Sequence, residues 1–438
     1  MTSRARLVTA ACGVVGALYL IKGIYRGLSY THGDFYNTLP GEYASRLNPT
    51  LWHSADIQPA LAYNHGTYLY GPTQYLTLFP IVFLDSYASI ASWLLAIYPV
   101  VLLAAVYGLW RLLAFGEPRQ PVMLGAIGAV AFAFLPLLQT LIQREFEVVA
   151  FLLLVATCLL LVRGREAASG ATLAYITWFK YWPVLLLGAF VVHRRVRGLV
   201  AFAVASAVIL LTAQLAFGLQ HFMIRKTAGT IGGLVRPLGG GEVLYPVIQR
   251  GAQKSDFCRQ WIEGRGTQVD VRWALCGVED RVPVISAKAI FYALAIAAGA
   301  MFVWGAYRLE TALPDAAAAK WGTIWELSTL AIVGVSFVHA HYYYYVVFLL
   351  PLSALLYWYA TRPQPWRRTK IALWVAAYVL LNAFIVPASW LSAVFRVNVW
   401  PLYVDSGFCL LGTIVLLALV LWELLHAAQQ APRALAIV

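Results

Sequence analysis

Apolar residues run along this chain in long blocks, broken by short clusters of arginine or by stretches rich in Tyr, Pro, Asn and Gly. A block of roughly 20 apolar residues is long enough to cross a bilayer as a helix. The pattern predicts ten full crossings: Leu7 to about Ile24, Ile90–Leu112, Val122–Thr140, Val148–Val162, Leu199–Phe217, Ala289–Ala306, Trp321–Val338, Tyr344–Ala360, Ile371–Leu391 and Gly407–Leu425. Two polar stretches stand between them, residues 27–89 and 219–287. Within the first, Tyr70–Leu84 is apolar but short and carries two prolines, which suits a helix lying at the interface.

Ala168–Val192 has the length of one more crossing, yet it starts after Arg163-Gly-Arg165 and ends at His193-Arg-Arg-Val-Arg197. Basic clusters mark the cytoplasmic side, so a single crossing here would invert every later loop. A re-entrant pair of half-helices bent at Lys180-Tyr-Trp-Pro183 keeps both ends inside, because proline breaks the helix there. The expected fold is therefore an all-α polytopic membrane protein. One integral-membrane domain, residues 1–438, has about ten transmembrane helices plus the half-helix pair over 168–192, about twelve membrane segments in all. Its two sizeable loops lie outside.

Composition agrees. Of 438 residues, 61% are hydrophobic and 12% charged, with a mean hydropathy of +0.72. A soluble protein carries about 25% charged residues, so a water-facing enzyme is excluded, and disorder is too. The excess of Lys and Arg over Asp and Glu, 32 against 19, falls largely on predicted inner segments. Away from the long loop, the outer side and its flanks hold only Lys22, Arg26, Arg46, Arg144 and Arg396. Both termini are placed in the cytoplasm. No nucleic-acid motif, Walker phosphate loop or HExxH occurs, and no pattern of matching halves marks a transporter built from repeats.

Charged and polar side chains at the outer ends of these helices are the candidates for chemistry. Asp34 lies just beyond the first crossing beside His32, with Glu42 further along. A carboxylate there can take a proton from a hydroxyl that attacks a lipid-borne carbon, or it can cap the following helix. Arg144, Glu145 and Glu147 crowd one outer turn and can bind hydroxyls, or a metal together with Asp34, although Arg144 and Glu147 can also pair across a helical turn. Lys180 is the basic residue placed deep in the apolar layer, where a partner is required: a lipid phosphate or a carboxylate. His339 and His341 mark a later outer turn, His341 suited to donate a hydrogen bond to an anionic leaving group, with Tyr342 beside it. Arg225, Lys226 and Arg236 flank glycines that can cradle phosphate. Cys258 and Cys276 share the long outer loop and can form a disulfide; Cys12, Cys158 and Cys409 fall in crossings, as packing.

The order of these motifs resembles the GT-C superfamily of membrane glycosyltransferases, and within it glycosyltransferase family 87. Gly33-Asp34-Phe35-Tyr36 opens the first outer loop, and Tyr70-Gly-Pro72 with Phe79-Pro80 is similar to the family's Tyr-x-Pro…Pro segment. Ser169 to Pro183 with Arg194-Arg195 resembles its small-Gly-x-x-Leu…Lys-x-x-Pro…Arg-Arg stretch. Ser336 to Pro351, with His341 ahead of tyrosines, resembles its Ser…His-aromatic…Leu-Pro stretch. The resemblance implies a GT-C-like bundle and an inverting transfer from a polyprenyl-phosphate sugar, mannose by family default, to a lipid-linked or cell-envelope glycan. The site would lie on the outer face of the cell's inner (plasma) membrane. Asp34 would be the base and His341 would meet the leaving phosphate. His32, Glu42, Arg144, Glu145, Glu147, Lys180, Arg225, Lys226, Arg236, His339 and Tyr342 would bind substrate. No cofactor, metal or nucleic acid is called for; the partners are the donor lipid, the glycan acceptor and the bilayer. Many relatives have Gln and Asn where this chain has Arg144-Glu145-Phe-Glu147. A lipid-linked-glycan flippase and an envelope polysaccharide polymerase or ligase are the competing readings.

Overall fold

The computed structural model describes residues 87–117, 120–143, 145–180, 182–217, 287–312, 316–337, 342–363, 366–382 and 408–434, with scattered positions of 7–25 and Thr73, Leu76 and Thr77. Among these residues all regular structure is helical and there is no strand. The chain divides into two compact units, Met1–Val184 with Arg195–Ala228, and Leu185–Arg194 with Gly229–Val438.

The first unit contains α1 (Tyr87–Leu113), α2 (Pro121–Phe132), α3 (Leu135–Gln143), α4 (Glu147–Val162), α5 (Glu166–Lys180) and α7 (Val196–Phe217). The helices α1, α4, α5 and α7 pack successively side by side. Small side chains set the spacing: Gly108 of α1 faces Val155 of α4, and a Cβ on Gly170 of α5 would run into the carbonyl oxygen of Gly198 in α7. The Ser169 hydroxyl donates to Thr157 O at 2.8 Å, tying α5 to α4.

Proline explains the departures from straight crossings. The crossing read over Val122–Thr140 is two helices, α2 and α3, bent by 62°. Pro136 clashes with the carbonyl four residues back, that of Phe132, the residue at which α2 ends. Pro183 acts likewise on Phe179. After Lys180 the α-helix gives way to a 3-10 helix, Trp182–Leu186, followed by α6 (Leu187–Val192). By Gly198 the chain is again beside Gly170, near the start of α5.

The second unit holds α6, α8 (Ala287–Ala312), α9 (Ala316–Phe337), a 3-10 helix Tyr342–Phe348, α10 (Leu349–Thr361), α11 (Arg367–Leu381) and α12 (Phe408–Ala434). Helix α12 is central, packed on α8, α9 and α11. An aromatic core forms where Trp321 stacks on Trp325 and meets the edge of Trp358 at 4.7 Å. Cations cover it: Arg362 lies 4.1 Å from the Trp358 ring and Lys320 lies 4.8 Å from that of Trp321.

Apolar surface faces outward. Val196, Val200, Val204, Val208, Leu211 and Leu215 form a stripe along α7, each more than half exposed. Water would not tolerate so continuous an apolar patch; lipid does. Four helices among the described residues are long and apolar enough to cross a membrane, and five if the bent α2–α3 pair counts as one. The chain is a membrane-embedded helical protein.

Candidate functional site

Helices α4 and α5 run antiparallel, and their opposite ends differ in chemistry. At one end are Arg163 and Arg165 in the connecting turn, with Arg163 5.8 Å from the Phe115 ring at the foot of α1. Arg195 and Arg197 open α7 at the same level, because Gly198 touches Gly170. At the other end, Glu147 in the first turn of α4 meets Lys180 in the last turn of α5. The Lys180 Nζ lies 2.6 Å from Glu147 Oε1, and the two side chains are only 5% and 4% exposed.

Each charge sits at the helix end that favours it, the carboxylate at an N-terminus and the ammonium at a C-terminus. Fifteen residues at 1.5 Å rise place the pair about 22 Å along the helix from the arginine end. That length is shorter than a hydrocarbon layer of roughly 30 Å. Aromatic rings pack around the pair: Phe146, between the two glutamates in sequence, contacts Tyr98 edge-on at 6.0 Å and Phe179 at 5.7 Å. Glu145 is wholly buried, its backbone N–H donating to Thr140 O.

Part of the first polar stretch reaches this hairpin. Thr73 is buried and donates to Tyr175 O at 3.0 Å, and the Thr77 hydroxyl is 2.7 Å from the Tyr175 hydroxyl. Leu76 packs on the cluster formed by Ala174, Trp178 and Ile209. Thr73, Leu76 and Thr77 thus meet α5 from Ala174 to Trp178.

The chain matches the family model of glycosyltransferase family 87 over residues 68–320, more than half its length. It belongs to that family. This family 87 protein is therefore a membrane glycosyltransferase, with a sugar donor and an acceptor as its substrates. No curated protein and no solved structure matches it. The matched region contains the whole Glu145–Lys180 cluster and begins after Asp34.

Of the residues singled out from the sequence, Glu147 and Lys180 are brought together, and Glu145 is buried two residues before Glu147. The partner of Lys180 is a carboxylate, the second of the two possibilities the sequence left open. Tyr342 is buried in the second unit, where its hydroxyl donates to Leu381 O at 2.6 Å; it braces the 3-10 helix against α11. Asp34, His341, His32, Glu42, Arg144, Arg225, Lys226, Arg236, His339, Cys258 and Cys276 lie outside the described residues. Cys158 and Cys409 are buried free thiols in α4 and α12.

Two buried carboxylates of the second unit went unremarked in the sequence. Glu326, midway along α9, is 2.7 Å from His193 at the end of α6. Glu423 of α12 accepts from Lys370 Nζ at 2.7 Å, Trp358 Nε1 at 3.0 Å and the Tyr359 hydroxyl at 3.2 Å. Both stood in the sequence as lone acids within long apolar runs, the signal that an embedded ionisable group leaves.

Proposed function

We propose that this family 87 enzyme transfers a sugar, mannose by family default, from a polyprenyl-phosphate carrier to a lipid-linked or envelope glycan. The reaction takes place on the extracytoplasmic side of the plasma membrane, with inversion. The acceptor hydroxyl gives its proton to Asp34 and its oxygen attacks the anomeric carbon. A new C–O bond forms as the anomeric carbon–phosphate oxygen bond breaks, and polyprenyl phosphate leaves with the electron pair. His341 donates a hydrogen bond to that phosphate, and Arg225, Lys226 and Arg236 offset its charge. Such stabilisation of developing charge is commonly the largest catalytic contribution. His32, Glu42, Arg144, Glu145 and His339 complete the substrate contacts in this reading. Residues 168–192 re-enter from the cytoplasmic face as a hairpin whose tip carries Lys180. A Cys258–Cys276 disulfide braces the long outer loop.

One observation carries the reading: a family match whose span includes a buried lysine–carboxylate pair set deep between helices, far from the arginine-bearing end. A lipid-borne substrate needs polar groups below the membrane surface, where a soluble sugar nucleotide would not reach. The test uses purified protein, radiolabelled polyprenyl-phosphate mannose and a glycolipid acceptor extract. Wild type should transfer label, and Asp34→Asn should lose about 10²-fold or more, the scale of general-base catalysis. Transfer by the variant at the wild-type rate would remove Asp34 from the reaction.

A further inference from the structure

We infer that Glu147 determines which sugar is accepted, its second carboxylate oxygen receiving a hydrogen bond from one hydroxyl of the sugar on the donor. The inference rests on the proposed transfer from a lipid carrier. Its observation is separate. Glu147 is 3% exposed, and its Oε1 is held by Lys180 at 2.6 Å. Its Oε2 is buried and accepts no hydrogen bond among the described residues. Buried polar atoms almost always have a partner, and a carboxylate oxygen left without one costs about 1–3 kcal/mol or more. Only a donor group satisfies it. A carboxylate accepts and cannot donate, so the missing partner is an O–H or N–H, and a sugar presents several hydroxyls.

Lys180 makes the arrangement directional. It fixes one carboxylate oxygen and leaves the other in a set position, as the orienting partner of a binding group does. Phe146 and Phe179, the chain neighbours of Glu147 and Lys180, pack against each other at 5.7 Å. The donor is favoured over the acceptor as the source because its sugar sits directly on the carrier phosphate, whereas a glycan acceptor extends away from its anchor. A site built to bond a hydroxyl rejects an analogue lacking it by up to about 10⁴–10⁵-fold, because its own polar group is then left buried and unpaired.

The experiment compares transfer by the purified full-length enzyme from polyprenyl-phosphate mannose and from its 2-, 3-, 4- and 6-deoxy analogues. In wild type, one deoxy donor should fall by about 10³-fold or more in kcat/KM. In Glu147→Gln that penalty should shrink to within tenfold, the parent donor losing activity while the deoxy donor keeps its own rate. Glu147→Asp, which keeps the charge and withdraws the oxygen, should give an intermediate ratio. If wild type handles all four deoxy donors within threefold of the parent, the inference is overturned without any variant. It is equally overturned if the penalty persists in a folded Glu147→Gln, or if only deoxy acceptors are discriminated. Absence of transfer from every lipid-phosphate sugar would instead overturn the proposed function, and this inference with it.

Discussion

The two units each bury a lysine–glutamate pair at nearly the same distance, 2.6 Å for Lys180–Glu147 and 2.7 Å for Lys370–Glu423. They differ in what surrounds the carboxylate. Glu423 is saturated: Trp358 donates to Oε2, and Tyr359 joins Lys370 on Oε1. Glu147 has Lys180 on one oxygen and an orphaned second oxygen. Desolvating two charges is costly, and a buried pair gains by it only when further hydrogen bonds satisfy the remaining sites. The Glu423 pair meets that condition and fastens α10, α11 and α12 together. The Glu147 pair does not meet it among the described residues; the sugar hydroxyl inferred above would complete it.

The largest effect that tests this contrast is Glu423→Ala. It strands a buried ammonium and two aromatic donors, and should cost roughly 5 kcal/mol, the upper end for breaking a buried pair. Thermal unfolding in micelles, or yield of folded protein, reads it. A loss under 1 kcal/mol would show that Glu423 fastens nothing.

Replacing both charges separates the two pairs more cleanly. Glu147→Leu with Lys180→Met should be close to neutral in stability while abolishing efficient transfer. Glu423→Leu with Lys370→Met still leaves Trp358 Nε1 and the Tyr359 hydroxyl without acceptors, and should cost about 2–4 kcal/mol at 1–3 per group. Equal melting temperatures for the two double variants would erase the distinction.

Gly170→Ala comes next. Its Cβ would meet the Gly198 carbonyl, which belongs to backbone and cannot swing aside. Overpacking of this kind costs about 1–3 kcal/mol and pushes α5 away from α7, moving Lys180 off Glu147. Transfer should fall further than stability alone accounts for, as a comparison of rate per folded molecule would show. Ser169→Ala, which removes only the bond to Thr157 O, should cost about 1 kcal/mol and leave the deoxy-donor penalty intact.

The helical character of the fold was legible in the sequence because lipid imposes a simple rule: long apolar blocks become helices. Lys180 stood out as a cation inside an apolar block, and Glu147 as an acid beginning one. Their pairing was not legible. It depends on α4 and α5 lying antiparallel with matched ends, and the registry comes from Ser169 reaching Thr157 and from Gly170 admitting Gly198. Glu423 and Glu326 were visible as lone acids, yet their partners come from positions 53 to 133 residues away in the chain.

By itself, then, the sequence determined that this is a helical membrane protein, that Pro183 interrupts a helix just after Lys180, and that Lys180 must find a partner inside. The tertiary structure alone decided which partner that is and how fully the pair is satisfied. The physical reason is that apolar blocks specify burial without direction, whereas a hydrogen bond needs two atoms within about 3 Å, and only the packed helices fix that distance.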